Sequence, residues 1–155
     1  MAETSLSKVE DALKAALQSY PALADRTIIT DQPSDVALED DQIPALVITT
    51  VAYTQEQSDE QGQTLHAAKI DVASVVTGAA LIIGRANYEA LAHVIAAIHP
   101  DRTLGGRLHD LQERDVAPVD ANRADAGAVS LQFDAIWFTR RGDWFTIVGQ
   151  GGALF

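Results

Sequence analysis

Cysteine is absent from this 155-residue chain, and long apolar runs are scarce. Without thiols the chain can form neither a disulfide framework nor a thiolate metal site, and a reducing compartment is favoured. The most apolar stretch, residues 72–83, is interrupted by Ser74, Thr77 and Gly78 and falls short of the roughly 20 residues that a membrane-spanning helix needs. Nothing near the amino terminus has the pattern of a secretory signal. We therefore expect a soluble protein of the cytoplasm.

Positive charge is also scarce. Eleven lysines and arginines stand against 22 aspartates and glutamates, which gives a net charge of −11. This balance argues against direct binding of duplex DNA, because such binding needs cationic side chains that neutralise phosphates. Much of the acid lies in residues 31–41 and 56–60. These runs fit solvated loops, or a polyanionic surface along a path that nucleic acid traverses without binding, and both interpretations stay open.

The length fits one domain that can bury a core without covalent crosslinks. Its first predicted element is a helix that begins near Ser7, because Ser7 and Glu10 have the spacing of a capping box. The apolar face of this helix comprises Val9, Leu13, Ala16 and Leu17. Pro21 ends the helix, since proline restricts the residue before it. Residues 27–30 then predict a short strand at a sheet edge.

Two β-type segments occupy the middle of the chain. Residues 45–53 are rich in β-branched side chains and predict a strand inside the sheet. Residues 64–76 alternate, with Ala68, Ile70 and Val72 on one side. The connection at residues 55–63 is polar and acidic, which predicts a solvated loop. Together these segments predict a long hairpin with a protruding acidic tip.

A second helix and a final strand follow the hairpin. Residues 78–85 fit either a strand or the start of a helix, whereas a helical stripe is clear from residue 86 and ends before Pro100. The stripe comprises Tyr88, Leu91, Val94, Ile95 and Ile98. After a compact turn at residues 103–106, residues 108–119 fit a strand only weakly. Residues 129–137 alternate apolar and polar side chains and predict the clearest amphipathic strand.

Residues 140–155 differ from the rest of the chain. Residues 140–143 break the strand, and residues 144–148 are apolar enough to form another. A glycine-rich stretch at residues 149–152 then leads to an apolar end. This segment is either an arm that docks on a neighbouring subunit or an edge strand and tail within the monomer.

No residue pattern predicts a catalytic, metal-binding or cofactor-binding site. The histidines lack the spacing of a zinc motif and are predicted to be surface or hydrogen-bonded structural residues: His66, His93, His99 and His109. The glycines at 149, 151 and 152 precede no helix that could receive a phosphate. Carboxylate pairs are numerous, but a sequence cannot place two of them in one cleft. A non-enzymatic role is favoured, and no cofactor or metal is expected.

The order of the predicted elements is itself informative. It comprises the helix ending in Tyr20-Pro21-Ala22-Leu23, the strand opened by Ile43-Pro44-Ala45-Leu46-Val47, the hairpin, the helix of residues 88–99, the Leu104-Gly105-Gly106 turn and the final alternating strand. Taken together these features resemble the tail terminator proteins of tailed phages, the minor tail protein U group and its prophage relatives. The resemblance covers roughly residues 5–139. It indicates one domain over residues 1–139 and a C-terminal extension, residues 140–155, that could act as an inter-subunit arm.

The resemblance implies both a fold and a role. The fold is α+β, a mixed, mainly antiparallel sheet with an N-terminal helix and one long helix packed on it. Members form a ring, usually of six subunits, on the head-proximal end of the tail tube, where they stop tube polymerisation and provide the head-joining surface. The implied partners are further copies of the chain, the tail tube protein and the head-tail connector, with DNA crossing the lumen without specific binding. The implied location is the bacterial cytoplasm during assembly, then the virion or a tail-like particle.

Two sets of residues are predicted to make these contacts. The apolar side chains of the extension are predicted to contact a neighbouring subunit: Trp144, Phe145, Leu154 and Phe155. The acidic hairpin tip, which comprises Glu56, Asp59 and Glu60, is predicted to face the lumen or the tube. A solvated loop and a tail folded on its own core are the ordinary alternatives.

Two other classes of protein stay open at this stage. One is another adaptor of the phage neck, such as a head completion protein, which would share small size, acidity and oligomerisation. The other is a small hydrolase or ligand-binding domain. That class predicts a monomer or dimer with a concave pocket of converging polar groups.

Overall fold

The computed structural model describes residues 3–33, 35–58, 62–78 and 80–155. Within these residues the chain has the α+β fold that the sequence analysis predicts. The helices are α1 (Ser5–Gln18) and α2 (Ala80–Ile98), and the strands are β1 (Thr27–Ile29), β2 (Ala45–Ser58), β3 (Gln63–Thr77), β4 (Asp110–Val119), β5 (Ala126–Arg140) and β6 (Ile147–Val148). Short 3-10 helices lie at Pro21–Leu23, Asp40–Gln42 and Gln150–Gly152.

The strands form one mixed sheet. Its order is β1-β2-β3-β5-β4, and β6 pairs with the end of β5. β1 is parallel to β2, whereas the other pairings are antiparallel. β3 and β5 pair along their whole length, from Gln63 opposite Arg140 to Thr77 opposite Ala126. β6 therefore lies on the other side of β5, where it continues the row that contains β4.

The main core lies between one face of this sheet and the two helices. The apolar residues that alternate along β5 are all buried, which confirms the predicted amphipathic strand: Val129, Leu131, Phe133, Ala135 and Trp137. The helices contribute Val9, Leu13 and Leu17 from α1 and Leu91, Val94 and Ile98 from α2. The opposite face of the sheet, which we name the open face, receives neither helix.

One predicted member of the α2 stripe points to solvent. Tyr88 is 53% exposed, and the neighbouring Asn87 is buried instead. Ser74 Oγ donates a hydrogen bond to Asn87 Oδ1 at 2.8 Å, and Asn87 Nδ2 donates to the Gly127 carbonyl oxygen at 3.1 Å. This polar network ties α2 to β3 and β5, and a pattern of apolar residues cannot reveal it. The ambiguous residues 78–85 mostly belong to α2, which begins at Ala80.

The predicted start of α1 is wrong by two residues. The helix begins at Ser5, and its cap is Thr4, whose Oγ1 accepts a hydrogen bond from the Ser7 N–H at 3.2 Å. Ser7 therefore lies inside the first turn, and the Ser7–Glu10 pair is not the capping box. Thr4 and Ser7 both carry a hydroxyl that could cap the helix. The path of the chain before the helix decides which of the two does so.

A pair of substitutions distinguishes the two caps. Thr4→Ala is expected to lower the free energy of unfolding by about 1 kcal/mol, because it leaves the first-turn amide of Ser7 without its acceptor. Ser7→Ala makes the same kind of change inside the helix and should cost less than half as much. Urea denaturation followed by circular dichroism measures both losses. A larger loss for Ser7→Ala would restore the cap that the sequence predicts.

The β2–β3 hairpin is longer than predicted. Most of the expected loop at residues 55–63 is paired strand, with Gln55 opposite His66 and Gln57 opposite Thr64. The polar composition is overridden because β5 holds β3 from its other side over the same stretch. Strand pairing therefore extends almost to the acidic tip.

Two strand predictions near the C-terminus have opposite outcomes. The weakly patterned residues 108–119 do contain a strand, β4, with an irregular register between Glu113 and Val116. Residues 144–148, by contrast, are strand only in β6. The residues before β6 form a turn, because the Asp143 carboxylate accepts hydrogen bonds from the backbone N–H groups of Phe145 and Thr146 at 2.8 and 3.2 Å.

Candidate interaction surface

The C-terminal extension folds back on its own domain. β6 pairs with β5, and Val148 forms an isolated bridge with Leu154. Ile147 and Phe155 exchange two backbone hydrogen bonds of 3.1 and 3.0 Å. The extension thus has the position of an edge strand with a returning tail. Its use as an inter-subunit arm stays a prediction.

Helix α1 fixes both ends of the extension. The Ser5 backbone N–H donates to the Trp144 carbonyl oxygen at 2.7 Å. Lys8 Nζ donates to the Phe145 carbonyl oxygen at 2.7 Å and to the Phe155 carbonyl oxygen at 3.2 Å. One ammonium group therefore holds residues 145 and 155 side by side.

The turn at residues 103–106 receives the end of the extension. Gly106 has a φ of 88°, in the left-handed region that favours glycine. Its carbonyl oxygen accepts the Gln150 backbone N–H at 2.8 Å. The Arg107 guanidinium lies 4.6 Å from the centroid of the Phe155 ring, within range of a cation–π contact. The Leu-Gly-Gly turn of the sequence therefore serves as a platform for the end of the extension.

A cluster of aromatic rings lies beneath the extension. The buried His66 and Trp137 stack with ring centroids 5.3 Å apart and an angle of 5° between the planes. Trp144 meets His66 edge-on at 5.5 Å and Tyr53 at 6.1 Å. The rings of His66 and Tyr53 thus contact the inner edge of Trp144 and orient its side chain.

Both ring nitrogens of His66 have hydrogen-bond partners. Nδ1 contacts the Tyr53 hydroxyl, and Nε2 contacts Thr139 Oγ1 at 2.8 Å. A neutral imidazole has one donor and one acceptor nitrogen and can satisfy both hydroxyls. Burial lowers the pKa of His66 and raises the pKa of Tyr53. His66 is therefore a hydrogen-bonded structural histidine, as predicted.

His66 should make stability depend on pH. Its pKa is lower in the folded chain than in the unfolded chain, so on acidification the unfolded chain takes up the proton first. The free energy of unfolding should therefore fall as pH drops through the ordinary histidine range near about 6.5. His66→Gln keeps polar groups but does not titrate. Thermal melts between pH 7 and 5 should show a smaller pH dependence for this variant, with His109→Gln as matched control, and equal slopes in all three proteins would contradict the assignment.

Three large apolar side chains of the extension are exposed to solvent. Trp144, Phe145 and Leu154 are 39, 49 and 53% exposed, and we name these three residues the apolar knob. Hydrogen bonds with the Asp143 carboxylate and with α1 hold the backbone of Trp144 and Phe145, and a bridge with Val148 holds Leu154. Phe155 is less exposed and packs against its own core. Contact of these four residues with a neighbouring subunit stays a prediction.

The acidic hairpin set lies only partly within the described residues. Glu56 is exposed on β2, opposite Leu65. Asp59 and Glu60 lie outside the described residues. That these three carboxylates face a lumen or a tube stays a prediction.

In the described part of the chain, the open face of the sheet carries two shallow grooves that are lined mainly by apolar side chains. The larger one measures about 300 Å³ and is lined by Val36, Val51, Val119, Ala73 and Ser130 among others. The second measures about 230 Å³ and is lined mainly by apolar side chains from β2, β3 and β5, with Asp110, Gln112 and Arg114 from β4. Neither groove could be predicted from the sequence, because their walls come from strands and loops that are far apart in the chain.

In residues 3–33, 35–58, 62–78 and 80–155, no three His, Asp or Glu side chains are grouped so that they could hold a metal ion. None of the helices in this part of the chain has the length and apolar character needed to cross a membrane.

Comparisons with known proteins find a likeness among solved structures. No family model matches the chain, and no curated protein matches it. Among solved structures, the chain is similar to a chain from the virion of a native gene transfer agent particle, with a TM-score of 0.49 and 13% sequence identity. The match covers 83% of this chain and 92% of that chain. At this level the likeness carries no argument about function.

Proposed function

We propose that this chain is a structural protein of a phage or phage-like particle that caps the head-proximal end of the tail tube as a ring. In this role it stops tube polymerisation and provides the surface that joins the head. The proposal rests first on the sequence resemblance to tail terminators over residues 5–139. Its partners would be other copies of the chain, the tail tube protein and the head-tail connector.

The observation that carries the proposal is the apolar knob. Trp144, Phe145 and Leu154 expose large apolar surfaces, although hydrogen bonds with α1 and the Asp143 carboxylate hold the backbone of the first two and a bridge with Val148 holds the third. Exposed aromatic side chains on a preorganised backbone are typical of contacts between proteins, because little conformational entropy is lost on binding. An assembly subunit needs such a surface.

The charge of the chain supports passage of DNA. A net charge of −11 repels phosphates, so DNA crossing a ring of these subunits would not be held by cationic side chains. Glu56, Asp59 and Glu60 are the residues that we propose to face the lumen or the tube.

Deletion of the gene from the genome that encodes the chain tests this function. We expect tail tubes of irregular, excessive length and filled heads without tails, because nothing stops the tube or joins it to the head. Electron micrographs of the particles measure tube length and attachment, with a plasmid copy of the gene as the control. Tails of normal length that fail to join heads would favour a neck adaptor instead. Unchanged particles would contradict any role in assembly.

A further inference from the structure

Exposed apolar side chains are concentrated on two surfaces. Of the nine large ones exposed in the described part of the chain, three form the apolar knob. Three more, Val36, Val51 and Val119, are 50, 51 and 41% exposed and line the larger groove on the open face, which we name the socket. A turn that presents apolar groups and a groove lined by them have the character of two halves of one protein contact.

One copy cannot fill its own socket. Trp144 rests on His66, and the socket wall includes Ala73, which lies seven residues further along β3. At about 3.3 Å per residue the two positions are about 23 Å apart, and because side chains alternate along a strand they lie on opposite faces of the sheet. The knob and the socket can therefore meet only between copies. A contact between two different surfaces is head-to-tail, and it closes into a ring when the rotation allows.

The socket has the size to receive an aromatic side chain of the knob. An apolar cavity of about 150 Å³ holds a benzene ring, and the socket measures about 300 Å³. Its wall includes the small or β-branched side chains of Val36, Val51, Ala73 and Val119. Insertion of Trp144 would bury apolar surface on both copies.

The charges beside the two surfaces have opposite signs. Asp71 and Asp120 line the socket, whose described lining residues include no lysine or arginine. Lys8 contacts the backbone of the knob, and Arg140 and Arg141 precede it in the chain, so three cationic residues stand beside the knob against the carboxylate that binds its backbone, that of Asp143. Opposite charges at the rim of a contact orient the partners and favour their encounter. Two copies of an acidic chain would otherwise repel each other.

We propose that the socket binds the apolar knob of a second copy of this chain. Trp144 is the central anchor of this contact, and Phe145 packs against the apolar rim. The inference rests on the proposed function, since a ring needs one head-to-tail contact that repeats, and it names the two surfaces that meet.

Cross-linking tests the contact directly, because the chain has no cysteine of its own. Phe145→Cys and Val119→Cys proteins are mixed and treated with a short bismaleimide. We expect covalent dimers in the mixture and few in either protein alone, since a head-to-tail contact brings unlike positions together. Ile82→Cys, at a 64% exposed position on α2, replaces either partner as the control. Efficient cross-linking of Phe145→Cys with itself, or none in the mixture, would overturn the proposal.

Two surface variants test the contact by mass. Trp144→Ala removes the anchor, and Val119→Asp places a carboxylate at the socket. Neither variant alone should assemble. Their mixture should form a dimer and no larger species, because the intact knob of the Val119→Asp protein can enter the intact socket of the Trp144→Ala protein and no other intact pair remains. Variants that keep wild-type mass would overturn this contact and leave the ring function standing. The gene deletion tests the function itself, whatever the cross-linking shows.

Discussion

Replacement of Trp137 by alanine is expected to lower the free energy of unfolding by about 3–5 kcal/mol. The indole is fully buried on β5 and stacks on His66. It also donates a hydrogen bond to Ser5 Oγ, which is itself buried. Truncation would leave a cavity beneath the aromatic cluster and an unpaired hydroxyl at the start of α1. Chemical denaturation followed by far-ultraviolet circular dichroism measures the loss.

Trp144→Ala is the matched control. It makes the same chemical change at a side chain that is 39% exposed to solvent. It removes edge contacts with His66 and Tyr53 but opens no enclosed cavity. We expect a loss of about 1 kcal/mol, less than half of the loss for Trp137→Ala. Equal losses at the two positions would show that the aromatic cluster is not anchored as described.

Replacement of Gly149 by alanine is expected to lower the free energy of unfolding by about 3 kcal/mol or to release the extension. A Cβ at this position would overlap the Gly106 carbonyl oxygen and lie 2.5 Å from Cε2 of Phe155. The first of these neighbours is backbone and cannot move away without breaking the turn that receives the extension. Denaturation measures the loss of stability, and limited proteolysis after Arg140 or Arg141 measures release of the extension.

Gly84→Ala is the control for this substitution. Gly84 lies within α2, and nothing lies within 4 Å of a Cβ added there. Alanine is the better helix former by about 1 kcal/mol, so this variant should be stabilised by roughly 0.5–1 kcal/mol. If Gly149→Ala were also neutral or stabilising, and its extension resisted protease, the close packing of the extension against Gly106 would be wrong.

The parts of the fold that depend on local periodicity could be predicted from the sequence. Every apolar residue from Val129 to Trp137 that the alternation assigns to the core is buried, because β5 pairs on both sides and shows one face to the helices. The α1 residues Val9, Leu13 and Leu17 are buried for the same kind of reason. A repeat of two or of 3.6 residues is a property of the sequence itself.

Features that join distant segments could not be predicted in this way. Arg123 donates to the Leu38 carbonyl oxygen at 2.9 Å and pairs with Asp40 and Asp125, so it ties the acidic connection before β2 to the start of β5. The bonds to Leu38 and Asp40 span more than 80 residues of sequence. No spacing rule could have selected Arg123 among the arginines of the chain.

Of the two candidate contact surfaces, the sequence could predict the knob but not the socket. The exposed aromatic residues of the knob could be nominated, because Trp144 and Phe145 follow a turn and lie outside any amphipathic pattern. The socket could not, since Ala73 and Ser130 are small residues on neighbouring strands and become the wall of a groove only when β3 pairs with β5. A concave surface depends on which strands pair, and the local periodicity of a sequence does not determine strand pairing.

The mass of the purified protein in solution tests the central claim most directly. Light scattering over a concentration series, with negative-stain images of the same samples, would be repeated in the presence of purified tail tubes that offer free ends. The account predicts a discrete closed species of about six subunits, annular in projection, whose mass does not rise further with concentration. A monomer or a two-fold dimer at every concentration, with the tubes as well as without them, would contradict it.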